Sequence, residues 1–262
     1  MKTNLNNAAK FGLLLLGSLG LIACSTPPAP KTISIAHGKK IGVIVDASAF
    51  PTHTHLSTSF LSQPFVKKLK TSWQIEESII STLRYEIENS TDFQVVNLRS
   101  IGINSSTHAK IIKPKIGTWQ QNNEIANKLR AEGINLVINI TETPTQASEY
   151  CSIDRDHLCQ ALYSQGYGVV SRGYALGNNF YASASFNTQI ESVSPPALLN
   201  SQKEFRGLNA YHNTNRELRY NEVPRSEVRI TEEELKPFKR EVIQHFTDLG
   251  KKIVLYLDKR AS

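Results

Sequence analysis

Long hydrophobic runs are scarce in this chain. One exists, Phe11 to Ala23, and at about 13 residues it falls short of the roughly 20 needed to cross a hydrocarbon core as a helix. Cysteine is equally sparse: Cys24, Cys151 and Cys159 are the three present in 262 residues. So few exclude a scaffold stapled by several disulfides, and no two have the C-x-x-C spacing of redox or zinc motifs. Among the catalytic signatures, G-x-S-x-G, H-E-x-x-H and the kinase set are missing. There is no internal repeat. The basic excess is mild, 30 Lys and Arg against 23 Asp and Glu, and it is divided among separate clusters at Lys39-Lys40, Lys67-Lys68-Lys70, Lys110-Lys113-Lys115, Lys239-Arg240 and Lys251-Lys252. Those read as solvated faces, and without a recognition motif nucleic acid is not an expected partner.

What is present begins at the amino terminus. Lys2 and Lys10 precede the apolar run, which carries Leu13 to Leu16 and stops at Leu21-Ile22-Ala23-Cys24, the layout of an export signal. The LIAC segment resembles the lipobox of bacterial lipoproteins. That resemblance implies removal of residues 1–23, more than one acyl chain on Cys24, and stable anchoring, because two or more chains turn marginal membrane binding into lasting attachment. Ser25 in place of aspartate implies, for Gram-negative members, an outer-membrane location facing the periplasm. The competing reading is an ordinary signal peptide with an incidental cysteine. Residues 24–38 form the lipidated cysteine and a Pro-rich, then polar, tether. Its 25–37 segment reaches at most about 45 Å. Residues 39–262 are long enough for a single domain with a substantial core.

Within that domain, KIGVIVDA at 40–47 reads as a buried strand. A polar stretch with Pro51 and Pro64 follows. Ile75, Ile79, Leu83 and Ile87 then recur every four residues, predicting an amphipathic helix over 72–89 with Thr71 and Gln74 as its capping box. FQVVNL at 93–98 is a second strand, 122–132 a second helix ended by Gly133, and INLVINI at 134–140 a third strand. Strand and helix in alternation imply parallel pairing. Residues 167–175 and 180–191 read as an antiparallel pair joined by a turn at 177–179, with Phe180, Ala182, Ala184 and Phe186 on the buried face. Residues 194–229 show no periodicity and read as a long loop. Thr231 and Glu234 open a final helix, although Gly250 leaves IVLYL at 253–257 open as a last strand. The fold class is therefore α/β: a βαβαβ half, an antiparallel pair and a carboxy-terminal helix, in two or three layers.

Candidate chemistry is limited. Export to an oxidising compartment makes a Cys151–Cys159 disulfide the leading reading of CSIDRDHLC, with a metal site using His157 and Asp154 or Asp156, or a redox pair, as alternatives. His53 and His55 in PTHTHL share a face if that segment is extended, and an H-x-H pair can begin a zinc or copper site. No third ligand is identifiable, so a solvated loop pair is the bland alternative. The glycines of GYGVVSRGYALG at 166–177 lie within and between strands instead of opening a helix. They therefore read as bulges and a turn, not as a phosphate cradle. No cofactor is called for.

The anchored cysteine, βαβαβ half, antiparallel pair and terminal helix together resemble the small α/β domain shared by the curli-secretion lipoprotein and the amino-terminal domain of the Tol-system translocation protein. IGVIVDASAF, FQVVNLRSI, GINLVINITET and FYASASFNTQIES stand as the corresponding strands. The resemblance implies fold alone, since no functional residue is carried over. The expected function is that of a membrane-anchored, non-enzymatic envelope lipoprotein that meets a protein partner or helps an assembly. The alternative is an enzyme or ligand- or metal-binding lipoprotein whose site is assembled from distant residues. Tyr211, Arg216, Arg219, Tyr220 and Arg225 in the long aperiodic segment are the residue types favoured at interfaces, and are the expected partner-binding residues.

Overall fold

The computed structural model describes residues 40–56, 65–105, 112–115, 118–146, 163–174, 177–201, 213–218, 224–226 and 228–261. Its strands are β1 (Lys40–Asp46), β2 (Thr52–Leu56), β3 (Phe65–Lys68), β4 (Gln94–Asn97), β5 (Ile112–Lys115), β6 (Thr118–Gln121), β7 (Ile134–Glu142), β8 (Pro144–Gln146), β9 (Tyr163–Gln165), β10 (Tyr167–Tyr174), β11 (Gly177–Val193), β12 (Pro196–Leu198) and β13 (Asn213–Glu217). The helices α1 (Ile75–Ser90), α2 (Asn123–Ala131) and α3 (Glu232–Ala261) complete an α/β fold. Among the described residues no helix is long and apolar enough to cross a membrane.

β1 is the centre of the parallel half, with β4 on one side and β7 on the other. Its alternation explains why both faces need a cover. Ile41, Val43 and Val45 join the core beneath α1 and α3, while Ile44 joins the smaller core beneath α2. That half is a helix–sheet–helix sandwich. The four-residue spacing in α1 works as the sequence predicts, since Ile75, Ile79, Leu83 and Ile87 are all buried. Phe238 and Phe246 of α3 are fully buried against Phe180 and Phe186, each burial contributing about 2–3 kcal/mol.

β11, seventeen residues long, joins the two halves. Its first part pairs antiparallel with β10 and its second part with β7. Both partners lie on the same edge: Ser185 donates its N–H to the Gly166 carbonyl and accepts from Thr143 N–H through its own carbonyl, and one residue of an extended strand points both groups to one side. At this junction β7 and β10 leave the sheet as the two-stranded β8–β9 ribbon. The opposite edge of β11 receives β13, β12 and the side chain of Asn200, which accepts from Ile190 N–H and donates to the Thr188 carbonyl. β10 also pairs parallel with β2, and β2 antiparallel with β3.

Four expectations need correction. The 194–229 segment is not all loop, because β12 and β13 are strands on the β11 edge; strands this short carry too few residues to display a period. The antiparallel pair does not turn through 177–179, because Gly177, Asn178 and Asn179 already pair with Tyr174, Gly173 and Arg172; the final helix, by contrast, runs on through 253–257 as its spacing predicts, with Ile253, Tyr256 and Leu257 in the core. Gly250 lies against α1, where a Cβ would come 2.8 Å from that of Glu86. Finally, α1 starts at Ile75 and Gln74 makes no side-chain cap; Thr71 instead donates to Glu232 across the fold. The polar stretch after β1 likewise contains two strands, β2 and β3, which its wet composition concealed. The Thr231–Glu234 capping box does form, with each side chain accepting the other's backbone N–H.

Candidate functional site

Open α/β sheets seat ligands outside the carboxyl ends of parallel strands, where the chain order reverses. Here that place is the end of β1 beside β7, since β1 leads through α1 to β4 on one side while β7 arrives on the other. The loop after β1 presents two consecutive backbone donors, Ala47 N–H and Ser48 N–H. Both are taken by the protein's own carboxylates, Glu76 from the first turn of α1 at 3.3 Å and Glu142 from the end of β7. Arg99, just after β4, holds Asp46 at 2.8 Å and Glu76 at 3.3 Å and also donates to the Val45 carbonyl. Tyr167 closes the rim by donating to the Ser48 carbonyl at 2.7 Å. Burial, and then the nearby charges of Glu142 and Glu76, hold its phenol protonated well beyond the ordinary range.

Two glycines make this arrangement possible. Gly166 has φ +63°, and a Cβ there would sit 1.7 Å from Glu142 Oε1. Gly168 has φ +142°, and a Cβ would strike the Thr52 carbonyl at 2.0 Å, so only glycine lets β10 lie against β2. The crevice is therefore filled from within.

A second cluster lies in the other half. His53 and His55 share a face of β2, as their spacing requires, but they are 0% and 1% exposed, and the solvated-loop reading is incorrect. Their segment is a strand whose polar side chains are taken into the interior. Ser171 of β10 lies between them, its Oγ 2.8 Å from His53 Nε2 and 2.9 Å from His55 Nδ1. Phe65 covers both rings, edge-on to His53 and stacked on His55. His53 Nδ1 is buried without a partner. An orphaned lone pair is cheaper than an orphaned N–H, so His53 carries its proton on Nε2 and donates to Ser171, which donates onward to His55. Burial, reinforced by Lys67 and His55, lowers the His53 pKa to about 3. A serine between imidazoles has the groups of a nucleophile and a base. A substrate must still reach Oγ, and Ser171 is wholly enclosed. As placed, the cluster ties β2 to β10.

Among the described residues no group of three or more His, Cys, Asp or Glu is placed to hold a metal ion. Of the expected partner-binding residues, Arg225 is exposed, and its backbone N–H donates to Glu234. Arg216 belongs to β13, on the edge of β11. Tyr211, Arg219 and Tyr220 lie outside the described residues, as do Cys24, Cys151 and Cys159; the last two fall between β8 and β9. Sequence reasoning missed Glu76, Arg99, Glu142, Tyr167 and Ser171. The available signal was the pair of glycines flanking Tyr167, which marked a close backbone approach without naming what approached.

No family model, no curated protein and no solved structure matches the chain.

Proposed function

We propose that this chain is an envelope lipoprotein, anchored through lipid on Cys24, that works by contact with a protein partner and not by catalysis. The observation that carries the reading is the filled crevice: the two N–H groups placed to receive a ligand at the carboxyl end of β1 are bonded to Glu76 and Glu142. A negatively charged ligand entering there would have to displace two carboxylates and meet their repulsion. The second polar cluster is enclosed under Phe65. The LIAC segment at 21–24 supports the anchor, and the short tether would hold the domain close to its membrane.

Two measurements test this. On fractionation, the full chain should sediment with membranes, and Cys24→Ala should release it or leave an uncleaved precursor; unchanged processing and retention would defeat the anchor. A thermal-shift screen with nucleotides, phosphate esters and divalent metals should leave the transition in place. A rise of several degrees that vanishes on altering Glu142 or the His53–His55 pair would overturn the non-catalytic reading and restore the enzyme or ligand-binding alternative.

A further inference from the structure

Two outer strands of the sheet, β4 and β3, are treated differently. At β4, the outward backbone groups are covered by side chains: Val95 N–H donates to Glu88 at 2.8 Å, the Val95 carbonyl accepts from Arg84, and the Asn97 carbonyl accepts from Ser100. That edge is closed to another strand. At β3 no such cover is found among the described residues. Leu69 N–H donates to the Pro51 carbonyl, which fixes the phase of the ladder, so that Phe65 and Lys67 turn their backbone toward β2 while Val66 and Lys68 turn theirs outward. Val66 and Lys68 are exposed, and no described strand lies beyond them.

We propose that the open β3 edge is the partner-contact surface, and that its occupant is an extended acidic segment of another protein which adds a strand beside Val66 and Lys68. This rests on the protein-contact reading above and names the surface and the chemistry of the partner. Main-chain hydrogen bonds would supply affinity and the side chains the selection. The charge around the edge is mostly positive, although Glu232, which accepts from Thr71, and Glu234, which accepts from the Arg225 N–H, lie nearby. Lys68 and Lys70 are exposed, and no carboxylate occurs between residues 65 and 74. Lys67 Nζ donates to the Val228 carbonyl, which fastens to β3 the segment carrying the exposed Arg225 and Arg229. Lysines on an edge discourage pairing with a second copy, because like charges would then lie opposite one another. The same lysines favour an acidic strand. Exposed Val66 and Val228 give the edge apolar footing on either side.

The test uses the full-chain protein and fluorescent peptides of about nine residues, a strand's length: one alternating Glu and Thr around a central Val, and one with Lys in place of Glu. Fluorescence anisotropy should show binding of the acidic peptide, weakening with salt, and no binding of the basic one. Val66→Pro removes the outward N–H while leaving the β2–β3 ladder intact, a substitution tolerated on an edge strand. It should weaken acidic-peptide binding by about tenfold or more with an unchanged urea midpoint. Lys68→Glu with Lys70→Glu, both at exposed positions, should reverse the peptide preference and provides the readout if the proline variant is unstable. Equal binding of both peptides, no binding of either, or acidic-peptide binding unaffected by both variants would overturn the proposal. Concentration-dependent dimerisation abolished by Val66→Pro would overturn it in favour of a second copy as occupant. Failure here with membrane retention intact would leave the anchored, protein-contact reading standing.

Discussion

Acid should loosen this domain through one residue, His53. Its imidazole is 0% exposed, and its pKa falls from 6.5 to about 3, mainly through burial. The folded state therefore binds fewer protons than the unfolded state between those values. Stability is complete above about pH 6.5 and is lost as pH falls from there toward 3. The whole difference corresponds to about 5 kcal/mol. At pH 5 the unfolded histidine is almost fully protonated and the folded one is not, so the loss relative to pH 8 is about 2 kcal/mol. For a domain of ordinary marginal stability that is a large fraction, and it should lower a urea midpoint by roughly 1 M. The buried Trp73 provides a fluorescence signal for unfolding. The decisive quantity is the difference between the wild type and His53→Gln, which isolates this one imidazole. The variant should be less stable at pH 8, having disturbed the bond to Ser171, yet its midpoint should fall distinctly less between pH 8 and 5. Parallel pH profiles for the two proteins would refute the reasoning and show that His53 is solvated or charged in the folded state.

Gly166→Ala should destabilise the fold by about 2–4 kcal/mol in urea titration, because it combines a left-handed backbone with a Cβ driven into Glu142. Asn200→Ala should cost about 1–3 kcal/mol by the same assay, because the Ile190 N–H and the Thr188 carbonyl would lose their shared side-chain partner. Glu142→Gln should lower the pKa of Tyr167, since one of the charges that raises it is removed; ultraviolet titration of the phenol in the two proteins checks the direction. Intact mass with and without reduction and alkylation should show Cys151 and Cys159 paired in protein from an oxidising compartment, and two freely alkylated thiols would reject the disulfide.

The parts of the fold legible in sequence were those in which apolar spacing and partner geometry agree. β1, β4 and β7 read as strands because their side chains are buried on one or both faces, and α1 because a single stripe of isoleucine and leucine meets the sheet. β11 was legible for the reason P-rich or polar segments were not: Phe180, Ala182, Ala184 and Phe186 alternate against a core. β2 shows the opposite case. Thr52, His53, Thr54 and His55 are all nearly or wholly buried, but their composition is that of a wet loop. Burial there is sustained by the Ser171 bridge and the Phe65 cover, contacts from 10 and more than 100 residues away that no local pattern can express. β12 and β13 stayed hidden because three and five residues have no measurable period; they are strands because β11 offers them an edge.

The same division applies to the site. That the glycines at 166 and 168 answer to backbone geometry, and not to a phosphate, was legible from their position among strands. Why they are needed was not. The answer depends on β11 having two partners end to end on one edge. Where β7 stops and β10 begins, the chain must leave the sheet and return, and the return brings residue 166 against the carboxylate that ends β7. A side chain at 166 would push Glu142 off Ser48 N–H, and a side chain at 168 would push β10 off β2. One short Gly-Tyr-Gly segment therefore closes the ligand crevice of the parallel half, through Glu142 and the Tyr167 hydroxyl, and also positions the strand that carries β2 and the open β3 edge. The features that argue against a pocket at the end of β1 and those that present an edge for a partner thus depend on the same three residues. A substitution at Gly168 should accordingly disturb the β3 edge more than the β1 crevice. Hydrogen exchange would show this as faster exchange in β2 and β3 with β1 and β7 still protected; uniform acceleration throughout the sheet would instead mean that the two halves unfold as one unit.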